Sequence, residues 1–460
     1  MTRPRIRGAL SPYNHPMPPR KRLPAEPFQV QIERQLDNGR GLAAHEERRL
    51  EVHDALGGEV VLARYLFGRR FRGQATTLEV LHASPHRAQP ACPHFGTCSA
   101  CVLQHMDAPA QLEFKQARLL RILAEAGASP EAVLPPLAAE PWHYRRKARL
   151  SVRYVEAKGR VLLGFRERDG RFVTDMRECH TLAPQVGRHL PALRALLGVL
   201  QGARSIPQIE VSCGDDSAAL IFRHLEPLSG ADLEGLRDFA RNTGLAVLLQ
   251  PGGPDTVSAL EPAAPELSYA LPGFGLAFHF QPLDFIQVNG ALNRLMVSQA
   301  LELLQPGGDE AVLDLFCGLG NFSLPLAQRA GRVTGVEGDA GLVRRALANT
   351  SRNAVGNADF RCADLYAEDA DLSWTRGAFD KVLLDPPRSG AAPLLRAVAD
   401  TGASRLVYVS CNPETLAEDA GKLLREHGFR LAAAGLMDMF PQTTHIEAMA
   451  LFERDGGGRG

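Results

Sequence analysis

Apolar and polar residues alternate in short stretches between Pro27 and about His82: FQVQIERQ, GRGLAAHE, RRLEVHDAL, EVVLARYLF and ATTLEVL, punctuated by Gly39, Gly41, Gly57, Gly58, Gly68 and Gly73. A period of two marks strands with one buried face, and several of them in so short a span predict a small β-barrel of the oligonucleotide-binding type. Over Ala108–Gly127 the period changes: Leu112, Leu119, Leu120 and Leu123 are spaced for one helix face, with Gly127 as a C-terminal stop. Residues 140 to about 280 are mixed and strand-rich, as in RKARLSVRYVE and RVLLGFRER. From about Gln281 strand and helix patterns alternate. AVLDLFC, RVTGVEG, FDKVLLDPP, RLVYVSCNP and HIEAMALFER read as strands, with helical segments such as AGLVRRALANTSRNA between the first of them. That alternation predicts a doubly wound α/β sheet ending in a strand pair. The chain thus reads as multidomain: a flexible arm over 1–26, a barrel over 27–82, a central mixed α+β region over 83–280 whose helix over 108–127 packs on the C-terminal domain, and a Rossmann-like α/β domain over 281–456.

A length of 460 residues agrees with several domains. No apolar run is long enough to span a membrane, and the N-terminus lacks the apolar core of a secretory signal, so a cytoplasmic protein is expected. The formal net charge is zero, yet positive charge is concentrated locally. Residues 1–22 carry Arg3, Arg5, Arg7, Arg20, Lys21 and Arg22 and no acid, and Trp142–Arg171 holds ten Lys or Arg against three acids. A polyanionic partner such as RNA explains such excess. No protein partner is evident, and a monomer is expected.

The end of the first α/β strand reads Asp314-Leu-Phe-Cys-Gly-Leu-Gly-Asn. Gly318 and Gly320 allow a tight turn and close approach to a ligand. Asp314 could hold an amine or a bridging water. Glu337, ending the second strand, is placed to accept from both hydroxyls of a ribose. GxGxxG is absent, so no pyrophosphate has to be cradled, and the pattern fits an adenosylmethionine pocket better than a dinucleotide site. Asp385 opens DPPRSG and Cys411 ends the next strand in SCNP, both at the carboxyl edge where α/β sheets bind ligands. A free cysteine is usually a small buried hydrophobe. As a nucleophile, its thiolate attacking C6 of uracil would make C5 reactive enough to take a methyl group. That role asks for a depressed thiol pKa or a nearby base. Glu447, in THIEAMALF, is the candidate base for the C5 proton. DPP also occurs in enzymes that methylate amino groups, where an aromatic residue usually follows; here Arg388 follows, which favours carbon methylation. A non-catalytic RNA-binding protein is the remaining alternative.

Eight cysteines in a cytoplasmic chain point to metal or catalysis rather than disulfides. Cys92, Cys98 and Cys101 lie within ten residues of one another, and Cys179 stands further on in MRECHTL. The spacing suits an iron–sulfur cluster or zinc and does not decide between them. His94, His105 and His180 read as local hydrogen-bonding residues, and Cys213, Cys317 and Cys362 as structural ones.

Together CPHFGTCSAC, GFRERDGRFVTDMRECHTLAP, DFIQVN, LDLFCGLGNFSLPLA, VTGVEG, KVLLDPPRSGA, VYVSCNPETLA and DMFPQTTHIEAMALF resemble the bacterial 23S ribosomal RNA uracil-C5 methyltransferases, from about Pro27 to the last strand. The resemblance implies a TRAM RNA-binding barrel over 27–82 and a [4Fe-4S] cluster on Cys92, Cys98, Cys101 and Cys179. It implies an S-adenosylmethionine or target-base pocket lined by Gln287, Phe316, Asn321, Glu337, Asp364 and Asp385, beside Asp314 and Gly318. Cys411 would be the nucleophile and Glu447 the base. Asp364, in RCADL, stands where the family often has Asn; either could accept from the adenine amine. The family's transfer RNA branch lacks both barrel and cysteine cluster, so ribosomal RNA is the expected substrate, with transfer RNA or both as the alternative.

Overall fold

A computed structural model describes residues 26–67, 72–261, 266–367 and 379–454. The arm expected over 1–26 lies, apart from Glu26, outside the described residues. The chain divides into two compact units, one of residues 1–35 and 40–83, the other of 36–39 and 84–460.

The first unit is a closed five-stranded barrel: β1 (Phe28–Gln35), β2 (Gly41–His45), β3 (Arg48–His53), β4 (Val60–Tyr65) and β5 (Gln74–His82), in the order β1-β2-β3-β5-β4 with β1 pairing back onto β4. Alternation decides its interior, where Val30, Ile32, Leu50, Val52, Val61 and Tyr65 are buried. Gly41 is required by packing, because a Cβ there would meet Ile32 Cγ2 at 2.5 Å.

The second unit opens with α1 (Ala108–Glu125), started by the Asp107 side chain accepting from Ala110 N–H, and the short strand β6 (Ala132–Val133). Next come β7 (Lys147–Val155), β8 (Arg160–Gly164), α2 (Pro184–Gly187), α3 (Leu190–Val199), β9 (Gln208–Cys213), β10 (Ala218–Arg223), α4 (Gly230–Thr243), β11 (Ala246–Gln250) and β12 (Ser258–Ala259). These strands form a sheet ordered β12-β11-β10-β9-β7-β8. Leu150 and Val152 of β7, Ile209 and Val211 of β9, and Leu220 and Phe222 of β10 share one core with α3 and α4. A hairpin, β13 (Leu267–Leu271) and β14 (Leu276–Phe280), follows.

The remaining elements are α5 (Gly290–Leu304), β15 (Ala311–Leu315), α6 (Ser323–Ala327), β16 (Arg332–Glu337), α7 (Ala340–Arg352), β17 (Ala358–Cys362), β18 (Lys381–Leu384), α8 (Leu395–Asp400), β19 (Arg405–Ser410), α9 (Pro413–Glu426), β20 (Arg430–Met437) and β21 (Glu447–Glu453). The eight-stranded sheet runs β17-β16-β15-β18-β19-β21-β20-β6. Its first five strands are parallel, and β21 is antiparallel between β19 and β20. Val312, Leu383 and Val407 face one core with α5 and α6, and Leu313, Val382 and Leu406 face the other with α8 and α9. Burial on both sides is why these strands read as continuous apolar runs. The hairpin β13–β14 shares the first of these cores, and β6 pairs with β20, so contacts run across residue 280.

Helix α1 packs on α9 and β20. Of the expected stripe, Leu119 and Leu123 are buried and Leu112 packs against the same core, but Gln111 and Lys115 join the buried line and Leu120 does not. The reason is polar. Lys115 Nζ reaches Asp438 Oδ1 at 2.6 Å and the Phe440 carbonyl at 3.0 Å, and the Gln111 amide exchanges two 3.0 Å hydrogen bonds with Gln442. Val102 and Leu103 N–H donate to the Gln442 carbonyl at 2.9 and 3.0 Å, and Tyr144 OH to that of Pro441 at 3.1 Å. The loop between β20 and β21 is thereby held from several sides. Among the described residues no helix is long and apolar enough to cross a membrane.

Candidate active site

Four parallel strands deliver polar groups to one sheet edge. After β15 the chain turns through Phe316, at φ +63°, and Gly318, at φ +56°. A Cβ at Gly318 would meet nothing within 4 Å, so this turn borders open space that a ligand can fill. Glu337 ends β16, and each of its oxygens accepts one backbone N–H, from Gly318 and Asp339, both at 3.0 Å. Asp385 follows β18 and Cys411 follows β19. Ser410 pairs with Ala448 across the antiparallel β19–β21 ladder, so the next residues outward, Cys411 and Glu447, come opposite each other at the strand end. Asn412 caps α9 and also donates to the Arg388 carbonyl at 2.9 Å, tying the SCNP and DPPR turns together.

Nine of the ten residues expected here line one cavity of about 590 Å³: Gln287, Phe316, Gly318, Asn321, Glu337, Asp364, Asp385, Cys411 and Glu447. Asn321 is fixed by Tyr269 OH at 2.8 Å and by a reciprocal amide pair with Asn293. Asp364 accepts from Tyr366 N–H at 3.0 Å. Asp314 is not among the lining residues. It is fully buried, with Ser323 Oγ donating to it at 2.5 Å and its second oxygen without a partner among the described residues. Tyr269, Phe285, Tyr366 and Arg388 also line the cavity. Only Arg388 was singled out from sequence, although Phe285 lies inside the DFIQVN motif and Tyr366 two residues beyond Asp364.

Carboxyl groups dominate the electrostatics. Burial first, then neighbouring carboxylates, push Asp385 up to about 7 and Glu447 up to about 8; Arg388 partly opposes the latter. Burial also raises Asp314 to about 7, against the Ser323 hydrogen bond. The Cys411 thiol is raised, by burial and then by Glu447 and Asp385, with Arg388 opposing. A depressed thiol, one of the two conditions set above, is therefore not found in the ligand-free protein. A cavity lined by Glu337, Asp364, Asp385 and Glu447 fits a cationic ligand, and the sulfonium and ammonium groups of adenosylmethionine are such charges.

Cys92, Cys98, Cys101 and Cys179 line one small pocket, all as free thiols. Among the described residues no group of three or more His, Cys, Asp or Glu is arranged to hold a metal ion. His94 accepts from Arg177 N–H at 3.1 Å, His105 is buried against Phe95, and His180 lies 3.8 Å from Glu178. Cys213 and Cys317 are buried, whereas Cys362 is exposed at the end of β17.

Residues 269–455 match the family profile described as tRNA (Uracil-5-)-methyltransferase. A protein of Alkalilimnicola ehrlichii named 23S rRNA (uracil(1939)-C(5))-methyltransferase RlmD is 51% identical over 95% of this chain and 98% of its own length. A protein of the same name from Stenotrophomonas maltophilia is 49% identical over 95% and 99%. The Pyrococcus abyssi tRNA (uracil-54, C5)-methyltransferase, solved with S-adenosyl-L-homocysteine, superposes with a TM-score of 0.71 over 92% of this chain and 99% of that one, at 22% identity, and so shares the fold. At about half identity over nearly the whole length of both curated relatives, the chain belongs to the RlmD family of 23S rRNA uracil-C5 methyltransferases.

Proposed function

We propose that this protein methylates a uracil of 23S ribosomal RNA at C5, with S-adenosylmethionine as donor and Cys411 as nucleophile. The observation that carries the reading is the single cavity in which Cys411 and Glu447 face the turn of Gly318 and the carboxyls of Glu337, Asp364 and Asp385. Glu337 suits the ribose hydroxyls of the donor and Asp364 its adenine amine, while Gln287, Phe316 and Asn321 complete the wall between donor and base. The donor supplies an electrophilic methyl group.

Uracil C5 is a poor nucleophile. The Cys411 thiolate forms a bond to C6, and the C5=C6 electron pair moves towards O4 as an enolate. C5 of the enolate takes the methyl group. The Glu447 carboxylate then removes the C5 proton, the double bond re-forms, and the C6–S bond breaks to free the thiolate. A stacked uracil cannot reach a thiol at a sheet edge, so the target base must be flipped out of its RNA.

The test replaces the target uridine by 5-fluorouridine in an RNA transcript. Fluorine at C5 cannot leave as a proton, so a covalent complex should accumulate and peptide mapping should find it on Cys411. An enzyme that methylates the normal transcript but forms no Cys411 adduct excludes this chemistry.

The same reading assigns the barrel over 27–82 to RNA binding as a TRAM domain, 83–280 to a central cluster-bearing region and 281–456 to catalysis. It gives Cys92, Cys98, Cys101 and Cys179 a [4Fe-4S] cluster on the strength of an all-sulfur donor set around one pocket, although the thiols do not stand in a metal-holding arrangement here. Its role would be to cross-link the segments that carry these residues. Iron and sulfide analysis of anaerobically purified protein tests this; one equivalent of zinc without sulfide refutes it. The same reading expects the protein to work in the cytoplasm and as a monomer.

A further inference from the structure

Beside the catalytic cavity runs a second groove, of about 480 Å³, that the chemistry above does not use. It lies where β7 and β8 meet the loop between β20 and β21. Arg145, Arg149 and Arg166 line it together with Phe440 and His445, and its lining contains no Asp or Glu.

Each cation there is held in a distinct way. The Arg145 backbone is fixed by its N–H to Thr181 at 2.8 Å and by Ala183 N–H to its carbonyl at 2.9 Å. Its guanidinium lies 5.6 Å over the Phe440 ring, and its Nε is buried without a hydrogen-bond partner among the described residues. Arg149 meets Glu210 at 3.1 Å yet remains 68% exposed. Arg166 is exposed and has no acid partner among the described residues. Alternation along β7 explains the polarity: Leu150 and Val152 turn to the core under α3 and α4, so Arg149 and Ser151 turn outward. The groove therefore gathers three of the ten Lys and Arg of Trp142–Arg171.

Its position is as informative as its charge. His445, with its ring 5.4 Å from that of Phe440, lines the groove and stands two residues before Glu447 of the cavity. The short segment His445–Glu447 thus links the groove to the cavity.

We propose that this groove binds single-stranded RNA adjoining the target uridine, with Arg145, Arg149 and Arg166 on its phosphates and Phe440 with His445 stacking an unpaired neighbouring base. This rests on the RNA methyltransferase reading. Phosphate contacts by arginine together with an aromatic platform recognise unpaired RNA, because every base has a face to stack and every linkage a charge.

The experiment uses the full-length protein and an unmethylated transcript of the 23S region it modifies. Arg149→Glu and Arg166→Glu should each weaken binding about tenfold and flatten the dependence of log affinity on log salt by about one unit. As a readout independent of these variants, 4-thiouridine placed beside the target uridine in the wild-type complex should cross-link to peptides containing Arg145, Phe440 or His445. Unchanged affinity and salt slope in both variants, with adducts only elsewhere, would overturn the proposal and leave this face to a protein partner. In that event wild-type methylation of the transcript still stands. A wild-type enzyme that never methylates it defeats the functional reading first, and the groove's role with it.

Discussion

At neutral pH Glu447, pushed up to about 8 by burial and Asp385, keeps its proton in the ligand-free protein, and the Cys411 thiol is raised beside it. The proposed chemistry needs both as anions. The rate constant kcat/KM should therefore climb from about pH 7 and still be climbing past about pH 9, and a flat stopped-flow profile over that range would mean that neither ionisation limits the reaction. Glu447→Gln should lower turnover by at least about a thousandfold while the Cys411–RNA adduct builds up, visible as a slow-migrating band in a denaturing gel. Asp385 carries a stability consequence. Its folded pKa lies above the unfolded value, so its favourable share is complete below about pH 4 and is lost as pH rises through about 7. Asp385→Asn should thus stabilise the ligand-free enzyme by about 1–3 kcal/mol at pH 8 and hardly at all at pH 4.5. Thermal melts at the two pH values check this. Most of these residues were legible because strand ends in an α/β sheet are predictable and polar residues there have few structural uses. Asp314 was not, since position on a strand does not tell whether a neighbour such as Ser323 will bury the carboxylate behind the cavity wall.

Helix α1 shows what element-scale reading misses: its extent and most of its leucine stripe were legible, but not its buried polar line. Period alone favoured its leucines, yet Lys115 and Gln111 lie in the buried line because their partners, Asp438 and Gln442, are more than three hundred residues away in sequence. No local window contains that information. The same holds for β6, whose two residues are too few to show a period, and for β21, whose place between β19 and β20 is decided by long-range pairing. The barrel strands, by contrast, announce themselves through alternation and glycines. Lys115 and Asp438 are almost completely buried, so removing one charge strands the other. Lys115→Met should cost about 3–5 kcal/mol in denaturant unfolding, and Lys115→Met combined with Asp438→Leu should recover much of it. If the double variant is no more stable than the single one, the pair is not coupled as described.

Across the whole molecule, the strand that begins with Glu447 is anchored by segments remote from the catalytic sheet. The Gln442 carbonyl accepts the N–H groups of Val102 and Leu103, immediately after Cys101, and Gln442 itself holds φ +70° five residues before Glu447. Cys101→Ser should therefore lower kcat while leaving affinity for S-adenosylhomocysteine within about twofold, as isothermal titration calorimetry can decide, because the donor-side residues sit on other strands. The anchoring also has a mechanical consequence. The N–H groups that follow Cys101 hold the Gln442 carbonyl, so any shift of the cysteine segment reaches the loop that leads into the proton-accepting strand. The two halves of the reaction thus stand on separate foundations: the donor half rests on the ends of the parallel strands, and the base half hangs from a loop whose footing is the cysteine segment.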